Sequence, residues 1–156
     1  FNLAHTPFLY DLMTYCRHTP IDEILQLPDV QERVNAYMYQ REFAELQLIR
    51  CTSKHDKLVV VDLREEDPIY VCGRFLIYAL NPNCNISLHL LPGPDDGITS
   101  IAIGKSILDR TSKTDIGAML LEYGGGGHDA AGGCRVENDK VDEVLAELGG
   151  RINADG

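Results

Sequence analysis

Residues 84–103 run Cys84-Asn-Ile-Ser-Leu-His-Leu-Leu-Pro-Gly-Pro-Asp-Asp-Gly-Ile-Thr-Ser-Ile-Ala-Ile103. Cys84–Leu91 alternates apolar and polar residues, the period-two pattern of a strand with one buried face. Pro92–Gly97 concentrates the residues that reverse a chain. Ile98–Ile103 is again β-branched and strand-sized, so the two runs predict an antiparallel hairpin. Upstream, Lys57–Leu63 (KLVVVDL) predicts another strand, and the acidic turn Glu65-Glu66-Asp67-Pro68 leads into a short extended piece over Ile69–Cys72. Gly73–Leu80 predicts a helix ended by Asn81-Pro82. Downstream come a helix over Thr114–Tyr123, capped by Ser112 or Thr114, a strand over Gly132–Val136, and a helix over Asn138–Leu148. The first third is helical: residues 6–17, opened by Thr6-Pro7, and about 29–53, opened by Pro28, with Ile21–Leu27 between them. This order predicts an α+β fold with a mixed β-sheet flanked by helices and an N-terminal helical segment. The division expected is a helical appendage over 1–55 and an α/β domain over 56–156.

The chain has 156 residues, 44% of them hydrophobic, enough for one domain with a real core. No apolar run approaches the roughly 20 residues of a membrane helix, so no membrane partner is expected. No signal peptide is visible, and a chain starting at Phe1 is the expectation for a piece of something longer. The five cysteines are odd in number and contain no CxxC pair. That argues against a disulfide framework or structural zinc and favours a cytoplasmic location. A net charge of −10 excludes broad electrostatic binding of nucleic acid. Within 98–136, however, Lys105, Arg110, Lys113 and Arg135 balance Asp109, Asp115, Glu122 and Asp129. This neutral zone in an acidic chain permits an anionic ligand.

The same zone holds Tyr123-Gly-Gly-Gly-Gly-His128-Asp-Ala-Ala-Gly-Gly-Cys134. Four glycines cost chain entropy, and one would stop a helix. A bare linker is the plain alternative, but it is rarely followed at once by a second run of small residues. Without Cβ atoms, consecutive N–H groups can form a concave anion site, and His128 at its rim can donate to phosphate. Neither a dinucleotide fingerprint nor a phosphate-binding P-loop is present. Upstream, Gly104–Thr114 carries three cations and four hydroxyls, types that bind phosphate by charge and short donors. A solvated polar loop would look the same.

Ile103–Gly117 followed by the GGGGH run resembles the C-terminal, DHH-associated domain of DHH-family phosphoesterases. The exopolyphosphatase-like branch is the nearer likeness; RecJ-like exonucleases and oligoribonucleases are wider relatives. Gly73–Leu80 (GRFLIYAL) and His5-Thr6-Pro7-Phe8 fit the same branch, so the resemblance spans nearly the whole chain. It implies a division of labour. An N-terminal DHH domain of the same parent protein holds two manganese ions, partly through an Asp-His-His run, and this domain grips the substrate. By residue match Gly124, Gly125, Gly126, Gly127 and His128 would face the phosphate or nucleotide, with Arg110, Lys105, Ser106 and Arg74 assisting. No Asp-His-His occurs here, and the five histidines are isolated. The expectation is therefore that this chain binds no cofactor, has no catalytic residue of its own beyond a phosphate contact by His128, and is inactive alone. Its expected partners are a phosphorylated small molecule or short oligonucleotide and the DHH domain; a homodimer is left open. Many wider relatives place an Arg-Ser pair where this chain has Lys105-Ser106, and Lys lacks the bidentate fork, so the substrate preference of those relatives is not carried over. A stand-alone nucleotide-binding module and a regulatory domain without a ligand are the competing readings.

His89 shares a strand face with Ser87 and would reach substrate only from an interdomain cleft. Asp129 reads as a solvated loop carboxylate, Cys134 as a small core residue, and Tyr37, Tyr39 and Phe43 as packing rather than a stacking platform.

Overall fold

The computed structural model describes residues 6–155. Its strands are β1 (Thr52–His55), β2 (Leu58–Asp62), β3 (Ile86–Pro92), β4 (Ile98–Lys105), β5 (Gly126–His128) and β6 (Ala131–Glu137), in one mixed sheet ordered β1-β2-β3-β4-β6-β5. Its helices are α1 (Thr6–His18), α2 (Ile21–Ile24), α3 (Pro28–Arg50), α4 (Leu76–Leu80), α5 (Ile116–Leu121) and α6 (Val141–Asp155). The α+β class and the β3–β4 hairpin are as expected. Strands β2 and β3 are parallel, with α4 in the crossover between them, and every other neighbouring pair is antiparallel.

Two compact units are distinguished. One comprises the described residues up to Ala44 with Tyr70–Cys72; the other comprises Glu45–Ile69 and Gly73 onward. In the first, the Arg33 guanidinium lies 3.7 Å over the Phe8 ring, and Phe43 stacks on Tyr70 with centroids 5.6 Å apart. The second contains the sheet. On one sheet face Leu58, Val60, Ile86, Leu88, Leu90, Ile101, Ile103, Cys134 and Val136 pack against α5 (Ile116, Met119, Leu120) and α6 (Val141, Leu148, Ile152). Each such Leu or Ile contributes about 1.5–3 kcal/mol on burial, so this face holds the domain together. Among the described residues no helix is long and apolar enough to cross a membrane.

Several boundaries differ from the sequence expectation, each for a tertiary reason. Helix α3 ends at Arg50 because Thr52–His55 pairs with β2, in register Thr52↔Val61. The tight turn between these strands puts Asp56 at φ 56°. Ile69–Cys72 is no strand: it has no sheet partner, and the Gln40 side chain takes one of its carbonyls instead, Nε2 donating to Val71 O at 2.9 Å. Helix α4 starts three residues late. Helix α5 is capped by Asp115, whose Oδ1 accepts from the Ala118 amide at 2.9 Å, rather than by Ser112 or Thr114. Helix α6 continues through Gly149-Gly150 to Asp155. Each glycine there costs about 1 kcal/mol, and anchoring Leu148 and Ile152 in the core offsets it.

Candidate functional site

The four glycines do three different things. Gly124 takes φ 70° just past α5; its amide donates to Leu121 O at 3.2 Å and the Gly125 amide donates to Leu120 O at 3.0 Å. These two bonds form a Schellman cap, which stops the helix and satisfies its last carbonyls. A Cβ on Gly125 would lie 2.3 Å from Gly133 O, and one on Gly127 would lie 2.3 Å from Ala131 O. Both positions let the backbone lie against β6. On the other side Gly117 of α5 also approaches closely, since a Cβ there would meet Gly127 O at 2.7 Å. Gly126–His128 is thus an edge strand clamped between β6 and α5, where the sequence suggested an open loop. The Gly124 and Gly125 amides already serve helix carbonyls.

The register then decides what shares a face. The row Ser87–Gly104–Ala131–His128 crosses β3, β4, β6 and β5. The next row is His89–Ala102–Gly133–Gly126, and beyond it lies Leu91–Ser100–Arg135. Side chains two apart on a strand point the same way, so His128, His89, Ser100 and Arg135 stand on the face opposite the core. Between them Ala102, Gly104, Ala131 and Gly133 leave a floor of small residues. The Tyr78 hydroxyl of α4 anchors one corner, 2.7 Å from both Gly104 O and Ser87 Oγ. A phenol has one proton; it goes to the carbonyl, so Ser87 donates back to Tyr78. Burial raises the Tyr78 pKa and lowers that of half-buried His89, which favours neutral forms of both.

The predicted phosphate-binding residues fall into two groups. Lys105 and the β5–β6 turn meet at one end of the sheet: the Lys105 amide donates to Ala130 O at 2.9 Å, and its Nζ pairs with Asp129 at 2.9 Å. His128, exposed, borders this turn. Ser106 is buried, and its Oγ accepts from the Leu108 and Asp109 amides at 3.1 Å each, so it shapes the loop from within. Asp109 accepts from the Thr111 hydroxyl and amide and from Lys57, which together hold its pKa down at about 2. Arg110 is exposed, with Nε 3.2 Å from Ile107 O. Arg74 lies apart, exposed before α4 with its guanidinium 5.9 Å from the Phe75 ring. No hydrogen bond or ion pair links Arg110 or Arg74 to His128 among the described residues. His5 lies outside the described residues. Among those described, no three His, Cys, Asp or Glu side chains group as metal ligands.

Sequence reading missed Arg135 and Ser100. Their only signal is alternation within β4 and β6; nothing in the sequence pairs positions 35 residues apart.

The chain is similar throughout to about half of a pGpG-specific phosphodiesterase. That structure, PggH from Vibrio cholerae, shares 46% identity at a TM-score of 0.85 over 100% of this chain and 53% of its own. An exopolyphosphatase-related protein from Bacteroides fragilis matches 92% of this chain and 43% of its own, at 15% identity and a TM-score of 0.53, which shows the fold alone. No protein-family model and no curated protein matches. The 46% identity with a phosphodiesterase is consistent with a DHH-associated domain.

Proposed function

We propose that this chain is the substrate-binding half of a DHH-family phosphodiesterase acting on short linear nucleotides, with pGpG the first substrate to test. The observation that carries the reading is the 46% identity maintained along the whole chain with a phosphodiesterase nearly twice as long. The chain's own chemistry supports it. A neutral zone in an acidic protein carries an exposed histidine beside a small-residue floor, the shape and polarity that a nucleotide needs. The other half of the parent protein would supply the manganese ions and activate water, and here His128 would position the phosphate. Lys105 and Arg110 would raise the local potential, and Ser106 would hold their loop in shape.

The test is an NMR titration of the chain with pGpG, with a parallel reaction containing manganese. Amide shifts confined to 104–113 and 124–135, no turnover, and binding weakened about tenfold by His128→Ala are expected; tenfold matches one charge-assisted hydrogen bond. Manganese-dependent turnover by this chain alone would contradict the division of labour. Absence of shifts at millimolar pGpG would sink the binding role.

A further inference from the structure

Strand β5 stops short of its neighbour. Its first residue, Gly126, pairs with Gly133, so β6 continues beyond it as the edge of the sheet through Cys134 and Arg135. The resulting notch is a cavity of about 390 Å³ lined by Ser100, Ile101, Gly124, Gly125, Gly133, Cys134 and Arg135. Arg135 is exposed and its guanidinium, among the described residues, forms no hydrogen bond or ion pair, although the chain carries 24 carboxylate side chains against 14 cations. It lies directly across from Ser100 and on the same face as His128.

Two ligand groups suit a lone guanidinium: a phosphate and a guanine edge, which offers O6 and N7 to the bidentate fork. The notch favours the base. Phosphate sites add further cations or free amides, but here the Gly124 and Gly125 amides are bonded to α5 carbonyls and no second cation lines the cavity. What lines it is flat glycine backbone, with room for a planar ring. Arg135 stands four residues along β6 from Ala131, the partner of His128. At about 3.4 Å per residue and 4.8 Å between strands, the two Cα atoms are about 14 Å apart. That is a fitting span from a phosphate on His128 to the base of a dinucleotide laid along the floor.

We infer that the Arg135 notch is a guanine subsite, which makes Arg135 a specificity-determining residue; the inference rests on the nucleotide-binding role proposed above. The experiment compares binding of pGpG and pApA to the wild-type chain, Arg135→Gln and His128→Ala. One bidentate arginine–guanine pair discriminates by about five- to hundredfold, so the wild type prefers pGpG by at least fivefold. Arg135→Gln brings the two ligands within about twofold by weakening pGpG selectively, with an unchanged melting temperature. His128→Ala weakens both alike. A preference for pGpG that survives Arg135→Gln overturns the guanine subsite. So does an equal loss of both ligands in that variant, which would mean Arg135 holds phosphate, and so does a wild type without preference. A wild type that binds neither dinucleotide overturns the nucleotide-binding role itself.

Discussion

Replacing the glycines of the 124–127 run with alanine one at a time should give three different results, with two different signs. At Gly127 the new Cβ would sit 2.3 Å from Ala131 O and 2.4 Å from the Gly132 Cα, against a practical minimum of 3.0 Å. Both obstacles are backbone, so β5 must shift by about 0.7 Å or more against a strand to which it is hydrogen-bonded. Overpacking of this kind costs about 1–3 kcal/mol. Gly125→Ala meets Gly133 O at 2.3 Å and the Cys134 Cβ at 2.5 Å and falls in the same range. Gly124→Ala has open space, but its φ of 70° penalises an L side chain by about 1–2 kcal/mol. Gly126→Ala has neither problem: its nearest neighbour is Leu121 Cδ2 at 3.8 Å, an ordinary contact. Removing strand-glycine entropy there stabilises by about 0.5 kcal/mol. For a domain of this size 1 kcal/mol moves Tm by about 2–4 °C, so Gly127→Ala melts roughly 2–12 °C lower and Gly126→Ala slightly higher. Urea and thermal denaturation followed by circular dichroism measure both. If Gly126→Ala destabilises as much as Gly127→Ala, β5 is not packed between β6 and α5, and the run behaves as a uniform loop instead.

Tyr78→Phe leaves the Gly104 carbonyl and the Ser87 hydroxyl without their shared partner and should cost about 1–3 kcal/mol in urea denaturation, whereas an exposed tyrosine such as Tyr10 tolerates the same change. The pH dependence has two parts with the same sign. Burial lowers the folded-state pKa of His89, so the unfolded chain takes up its proton first and stability falls as pH drops below the ordinary 6.5; His89→Gln flattens that slope. Asp109, held at about 2 against an ordinary 3.8, adds stability that is present above pH 4 and lost as pH falls towards 2. A stability curve that is flat from pH 7 to 5 in the wild type would count against the burial of His89.

The strands β2, β3 and β4 were legible because each buries a face in a period-two pattern, and the β3–β4 pairing followed from the turn residues between them. The long helix and the final helix were visible in the same way. Strands β1 and β5 were not. Thr52–His55 has no apolar alternation, and glycines carry no side-chain signal; both became strands because a neighbour offered an unpaired edge. The sequence by itself determined the fold class, the position of the helix stop at Gly124, and the concentration of phosphate-compatible residues between 104 and 128. Only the tertiary structure decided that Ser106 faces inward, that Gly125 and Gly127 serve close strand packing, and that His128, His89 and Arg135 share one face. The physical reason is register: a one-residue slip between β4 and β6 would turn Arg135 into the core, and no local property of either strand encodes that choice. It is set by which register buries Ile101, Ile103, Cys134 and Val136 together beneath α5 and α6.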